Sequence, residues 1–102
     1  MQVLGTRLLQ DAAAISNQQV AAAIRALAAE LIHRKLESQD AVLNIYPDSQ
    51  VVSQREFDIP LGDDCYATIR LDYERQVVLI TYVGAMRSVR RRQQSQMPRK
   101  SA

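Results

Sequence analysis

The sequence predicts a small α+β domain, with two N-terminal helices packed on one face of a small antiparallel sheet. Helical periodicity is confined to the first third of the chain, while strand-type alternation follows residue 50. Helices that precede strands in this way favour a layer of helices on a sheet. The length of 102 residues fits one domain, and 47% hydrophobic with 24% charged residues is an ordinary globular composition.

Both helices are predicted from their caps and their apolar spacing. Thr6 is a suitable N-cap, and the residues after it are good helix formers, so a short first helix is expected there. Ser16 and Gln19 have the spacing of a capping box, which predicts a new start. Apolar residues then recur at intervals of three and four, so one long helix is expected over residues 17–37.

Turn residues divide the second half of the sequence into strands. The segments 46–49 and 62–64 combine Pro, Gly, Asp and Ser, and one short strand is predicted between them at residues 51–59. A hairpin is predicted next, with strands over residues 66–73 and 76–83. The second of these is more continuously apolar, which predicts an interior position in the sheet. Gly84 is expected to end it.

The first hairpin strand alternates strictly, and alternation assigns its residues to two faces of the sheet. The face toward the helices is expected to carry Ala67, Ile69, Leu71 and Tyr73. The other, open face is expected to carry Tyr66, Thr68, Arg70 and Asp72.

Charge is distributed unevenly along the chain. Residues 1–85 hold seven basic residues against eleven acidic ones, whereas residues 86–102 hold six basic residues and no acidic one. We therefore divide the chain into a domain at 1–89 and a basic, flexible tail at 90–102, with a short basic helix over 86–94. Such a run is either a contact for nucleic acid or an acidic partner, or simply a solvated terminus.

Composition argues against several functional classes. Cys65 is the single cysteine and His33 the single histidine, so neither an intramolecular disulfide nor a zinc site is expected. No apolar run reaches the ~20 residues of a membrane-spanning helix, and the start does not have the pattern of a secretory signal. These features predict a cytoplasmic protein that does not bind membranes.

Three stretches of the sequence resemble the HigB toxins, a family with the RelE-like ribonuclease fold. Residues 1–12 look like the family's opening strand and helix, residues 41–48 like the segment after the second helix, and residues 57–83 like its strand, turn and two long strands. The resemblance covers about residues 1–89. It implies an mRNA interferase, a metal-independent endoribonuclease without a cofactor that acts on mRNA at the ribosome. It also implies a neutralising antitoxin with a helix-turn-helix domain.

The sequence departs from the family at four positions of the expected site. Tyr66 stands where the family has a basic residue, and Met86, Val89 and Arg90 stand where it has His, Tyr and Asp. Two hypotheses follow: a toxin whose chemistry uses other side chains, or an inactive relative that pairs with an antitoxin-like DNA-binding protein. A third is an orphan helper domain with no role on nucleic acid.

The candidate catalytic residues are Arg70, Arg87, Tyr66 and Tyr82. Arg70 and Arg87 would hold the phosphate and stabilise the transition state, and either tyrosine would carry a proton. Each has a structural alternative: Arg70 in a pair with Asp72, Arg87 as an ordinary surface residue, and Tyr66 as an ordinary strand residue.

Tyr82 alternates with Val78 and Ile80, which predicts that its ring faces the core rather than the open face. The candidate contacts to the RNA backbone are Arg90, Arg91 and Arg92, which would bind phosphates without reading sequence.

Overall fold

The computed structural model describes residues 1–62 and 64–85, which form one sheet covered by helices. In chain order the elements are β1 (Gln2–Leu4), α1 (Thr6–Ile15), α2 (Gln18–His33), α3 (Gln39–Ile45), β2 (Gln50–Val51), β3 (Glu56–Gly62), β4 (Cys65–Asp72) and β5 (Val77–Ala85). The strands lie in the order β1-β5-β4-β3-β2. The α+β class is confirmed. Within the described residues there are three helices rather than two, and none is long and apolar enough to cross a membrane.

The first helix has a glycine as its N-cap rather than the predicted threonine. Gly5 is the N-cap of α1, with a left-handed φ of 81° and no side-chain cap. A Cβ added to Gly5 would lie 2.5 Å from the carbonyl oxygen of Ile80 on β5. Gly5 therefore permits both the positive φ and the close approach of the β1–α1 turn to the sheet.

The second helix is capped one residue later than the capping-box pattern predicts. The Asn17 Oδ1 accepts a hydrogen bond from the Val20 N–H at 2.8 Å. The Ser16 hydroxyl instead donates to the carbonyl of Ala12 at the end of α1. The helix ends at His33, four residues before the predicted end at residue 37.

The short helix α3 was not predicted from the sequence. Ser38 caps it by accepting from the Ala41 N–H at 3.2 Å, and its buried residue is Val42. A helix of seven residues makes about two turns, too few to establish an apolar period.

The sheet is mixed, so the prediction of an antiparallel sheet is wrong at β1. That strand pairs in parallel with β5, with Gln2 opposite Val77 and Leu4 opposite Leu79. The remaining neighbours are antiparallel. The interior position predicted for β5 is confirmed, because it lies between β1 and β4.

The predicted single strand at 51–59 is divided into two. β2 ends at Val51, and β3 begins at Glu56 and continues through Pro60. Pro60 is tolerated because β2 pairs only with Phe57 and Asp58, so at Pro60 no neighbour on that side requires an N–H donor. β5 likewise continues past Gly84 to Ala85.

The core lies between the helices and one face of the sheet. Its buried side chains are Leu9, Val20, Ile24, Leu27, Leu31, Leu36 and Val42 from the helical half, and Phe57, Ile59, Leu61, Ala67, Ile69, Leu71, Val78 and Ile80 from the strands. Burial of each large side chain contributes about 1.5–3 kcal/mol. The core face predicted for β4 is confirmed at Ala67, Ile69 and Leu71. Tyr73 lies in the turn after the strand and packs, partly buried, against the core.

A β-bulge in β5 changes which side chains share a face. Thr68 pairs with Tyr82, but the next residue of β4, Ile69, pairs with Ile80, so Thr81 is the extra residue. Tyr82 therefore lies on the same face as Thr68, and the prediction that its ring faces the core is wrong. Simple alternation from Ile80 fails because the bulge interrupts it.

Candidate functional site

The strand register defines four transverse rows of side chains on the open face of the sheet, which is the face away from the helices. The outermost row contains Asp72, Val77 and Gln2. The central row contains Asp58, Thr68 and Tyr82. The Tyr66 row contains Pro60, Tyr66 and Gly84. The Arg70 row contains Glu56, Arg70, Leu79 and Leu4.

The central row holds a buried carboxylate and a buried hydroxyl. Asp58 and Thr68 are both 0% exposed. The Thr68 hydroxyl donates to the Asp58 Oδ1 at 2.6 Å. Burial of a carboxylate is costly unless hydrogen bonds compensate it, so this pair is a specific feature rather than a solvated part of the surface. Alternation with Phe57 and Ile59 predicts that Asp58 points away from the core, but it gives no signal for its burial.

The side chain of Tyr82 lies along β5 over Gly84. A Cβ added to Gly84 would lie 2.7 Å from the Tyr82 Cζ and would also collide with its hydroxyl oxygen. Gly84 is directly opposite Tyr66 on β4. The phenol end of Tyr82 is therefore close to Tyr66, and both tyrosines are half-buried.

The backbone of Tyr82 lies between the Tyr66 row and the Arg70 row, and its ring extends toward Tyr66. Its cross-strand partner is Thr68, and along β4 the neighbours of Thr68 on the same face are Tyr66 and Arg70. Diagonal neighbours on a sheet are about 7–8 Å apart, within reach of long side chains. The bulge therefore brings three predicted site residues, Tyr66, Arg70 and Tyr82, onto one surface.

Arg70 is exposed, and it has no ion pair within residues 1–62 and 64–85. The alternative pair with Asp72 is not formed. Asp72 instead accepts a hydrogen bond from the backbone N–H of Arg75 at 3.1 Å, and its Oδ2 lies 3.9 Å from the Arg75 Nε. Arg70 is thus placed to bind an anionic group.

Arg55, Tyr73 and Glu74 form a clamp at the end of the sheet where β4 turns into β5. The Arg55 guanidinium donates two hydrogen bonds to the Glu74 carboxylate, at 3.2 and 3.0 Å, and lies 5.3 Å from the centre of the Tyr73 ring. The hydrogen bond from Arg55 lowers the pKa of Glu74 to about 2. The same hydrogen bond raises the pKa of Arg55.

A cavity of about 450 Å³ lies between this clamp and the Arg70 row. Three aliphatic side chains, Leu4, Val77 and Leu79, line it together with Leu71, and the charged side chains of Arg55, Arg70, Asp72 and Glu74 also contribute. No local sequence pattern predicts this cavity, because it depends on the parallel pairing of β1 with β5.

The remaining candidates lie away from the open face or outside the described residues. Arg87 and the run Arg90, Arg91 and Arg92 belong to the latter group. His33 is exposed at the end of α2, on the helical layer. Cys65 packs against the core, and partial burial raises the pKa of its thiol, which favours a structural role.

The part of the chain that the structure describes contains no group of three or more His, Cys, Asp or Glu side chains that could hold a metal ion. No family model matches the chain, and no curated protein matches it in sequence. A functional assignment therefore depends on the residues of the open face.

Proposed function

We propose that this protein is a HigB-like toxin, an mRNA interferase that cleaves RNA without a metal ion on the open face of its sheet. The main support for this proposal is that Arg70, Tyr66 and Tyr82 lie on that same face. A guanidinium on the same face as two phenols supplies a cation for the phosphate and groups that can carry protons. The proposal also rests on the sequence resemblance to HigB toxins over residues 1–89.

In the proposed reaction the RNA 2′-hydroxyl attacks the adjacent phosphorus. A bond forms between the 2′-oxygen and phosphorus while the bond from phosphorus to the 5′-oxygen breaks, which leaves a cyclic phosphate. One phenol, that of Tyr82 in our assignment, passes the proton from the 2′-oxygen toward the leaving oxygen. Arg70 balances the charge that develops on the non-bridging oxygens, and Arg87 is proposed as a second cation.

The buried pair of Asp58 and Thr68 supports this assignment by fixing the floor of the site. Thr68 lies between Tyr66 and Arg70 along β4 and opposite Tyr82, so its hydrogen bond to Asp58 anchors the position around which the three residues are arranged. A site held by a rigid strand and a satisfied polar pair is preorganised.

The basic segment supplies the affinity for RNA in this proposal. Residues 1–85 have an excess of acidic residues, so this part of the chain attracts a polyanion poorly by itself. We propose that Arg90, Arg91 and Arg92 contact the phosphate backbone of mRNA or of the ribosome. We further propose a cytoplasmic location and an antitoxin with a helix-turn-helix domain as the neutralising partner.

The second candidate function is an inactive HigB-like module that pairs with an antitoxin-like DNA-binding protein. The acidic balance of residues 1–85 favours it, because RNA enzymes usually present a basic surface. The replacement of the family's His, Tyr and Asp by Met86, Val89 and Arg90 favours it as well.

Induction of this chain alone in a bacterial culture separates the two functions. The toxin should arrest growth and fragment mRNA within minutes. Arg70→Ala should abolish both effects, and Arg87→Ala should do so if Arg87 is the second cation. Arg75→Ala is the matched control, because Arg75 is an exposed arginine near Arg70 that pairs only with Asp72 in the described part of the chain. Normal growth with intact mRNA, at confirmed soluble expression, would favour the inactive module.

A further inference from the structure

We propose that the cavity beside Arg70 binds an acidic amphipathic helix of a protein partner. We call it the leucine cavity and define it by the aliphatic side chains Leu4, Val77 and Leu79 and the charged side chains Arg70, Asp72 and Glu74. It lies at the opposite end of the open face from Tyr66. Binding of such a helix does not depend on the proposed function. Only the identification of the partner as the antitoxin rests on that function.

The aliphatic part of the leucine cavity is exposed although the rest of the face is polar. Leu4 and Leu79 are 44% and 40% exposed, and they are direct register partners on β1 and β5. Val77 lies two residues before Leu79 on the same face of β5 and is half-buried. The three side chains are neighbours on the open face, so they form a small apolar patch with a charged rim.

The charges around the leucine cavity determine the sign of the partner. Asp72 is bonded to Arg75, and Glu74 is bonded twice to Arg55. Arg70 is the charged side chain of the rim that has no ion pair within residues 1–62 and 64–85. The partner must therefore offer a carboxylate to Arg70 beside the group that fills the apolar part.

The spacing of the Arg70 row fits one face of a helix that crosses the strands. Arg70, Leu79 and Leu4 are register partners on three adjacent strands, so consecutive positions are about 4.8 Å apart. One turn of an α-helix rises about 5.4 Å. A helix with Glu at position i, Leu at i+3 or i+4 and Leu at i+7 would place its carboxylate over Arg70 and its leucines over Leu79 and Leu4.

RNA fits the leucine cavity less well than such a helix. The apolar part offers no aromatic ring for stacking a base and no polar group for reading its edge. Within the described residues, every rim charge other than Arg70 is paired, so the rim lacks the run of free cations that a phosphate backbone requires. The tyrosines at the other end of the face suit a nucleotide better, so Arg70 lies at the boundary between the two ligands. A helix bound in the cavity would then withdraw Arg70 from RNA and inhibit cleavage.

The test measures binding of the full chain to a synthetic helical probe by fluorescence anisotropy. The probe is a fluorescein-labelled peptide of about 18 residues, or five turns, rich in Ala and Gln, with Glu, Leu and Leu at i, i+4 and i+7. We expect saturable binding that weakens about tenfold or more in Leu79→Ser and in Arg70→Ala. Arg70→Glu should lose the probe and regain binding to a probe with Lys in place of Glu. Arg25→Ala, at an exposed arginine of α2 on the helical layer, is the control and should bind as the unaltered chain does.

Several outcomes would overturn the proposal, provided that circular dichroism shows each variant to be folded. One is the absence of saturable binding up to about 1 mM. Another is equal binding of a scrambled peptide of the same composition. A third is a single-stranded RNA oligonucleotide whose binding is weakened by Leu79→Ser, because this would assign the leucine cavity to RNA. None of these measurements uses RNA cleavage, so a failure of the proposed ribonuclease activity would be recognised separately.

Discussion

At the scale of single residues, Gly84 decides where the Tyr82 ring lies. Gly84→Ala would add a Cβ that lies 2.7 Å from the Tyr82 Cζ, so the ring must leave its position over β5. We expect a loss of cleavage, because the displaced ring no longer lies beside Tyr66. NMR shifts of the Tyr82 ring protons would report the displacement, and urea denaturation would report the stability.

The control for this prediction is Ala85→Gly, which changes the neighbouring strand position without touching the ring. Ring shifts in Gly84→Ala that match those of the unaltered protein would contradict the geometry at Tyr82.

The buried hydrogen bond between Asp58 and Thr68 is expected to stabilise the folded protein. Asp58→Ala removes the acceptor of the buried Thr68 hydroxyl, whose hydrogen bond is 2.6 Å long. Loss of a buried hydrogen-bond partner costs about 1–3 kcal/mol, and the cavity left by the side chain adds to it. Urea denaturation would measure this change. Asp58→Asn retains an acceptor oxygen and should cost less, and equal stabilities of all three proteins would contradict the role of the pair.

At the scale of elements, the clamp of Arg55, Tyr73 and Glu74 should be insensitive to mild acid. The pKa of Glu74 is lowered to about 2 from its ordinary value of 4.5, so the ion pair is intact above pH 4.5 and is lost only as the pH falls toward about 2. An NMR titration of the Glu74 carboxyl carbon should therefore show an ionised group down to about pH 3.

Arg55→Lys is the matched variant for this titration. Lysine cannot donate the two parallel hydrogen bonds of a guanidinium, so the midpoint of Glu74 should move up toward 4.5. A midpoint near 4.5 in the unaltered protein would mean that the clamp does not form in solution.

The strands show which features of an element can be read from its sequence. Strict alternation correctly assigned Ala67, Ile69 and Leu71 to the core face, because a regular strand has a period of two. The same rule failed at Tyr82, because Thr81 is an extra residue in the ladder and no local pattern marks a bulge. The parallel pairing of β1 was missed for a related reason, since three residues are too few to show alternation.

The helices were predicted in position but not in their ends. Asn17 and Ser16 are both good capping residues, and the choice between them depends on how α1 ends rather than on the α2 sequence. Gly5 replaces Thr6 as the first cap because contact with Ile80 excludes a side chain, which is a tertiary constraint.

At the scale of the whole molecule, the sequence indicated part of the candidate site. Arg70 and Tyr66 on the open face follow from the alternation of β4 alone. The burial of Asp58 and the exposure of Leu4 and Leu79 do not, because they depend on which strands become neighbours. Pairing of distant strands is a property of the folded chain that local patterns do not encode.

The whole molecule also combines two opposite charge distributions. Residues 1–85 have an excess of acidic residues, and residues 86–102 have an excess of basic residues. Under the proposed function, these two parts of the chain bind different partners. Deletion of residues 90–102 should therefore weaken binding to RNA or ribosomes and flatten its dependence on salt. Binding measured at several salt concentrations would test this, and an unaltered slope would mean that the segment does not contact phosphates.

The most direct test of RNA cleavage by the open face is the rate at which the purified protein cleaves a reporter mRNA on translating ribosomes. If the open face performs the reaction, Tyr82→Phe should lower the rate by about 10²-fold or more, because it removes the proton carrier and keeps the ring. Arg70→Ala should lower it by about 10²–10³-fold, and Arg75→Ala should leave it nearly unchanged. Catalysis by the open face would be contradicted if the Tyr82 and Arg70 variants cleaved the mRNA at the rate of the unaltered protein. It would also be contradicted if the unaltered protein did not cleave the mRNA.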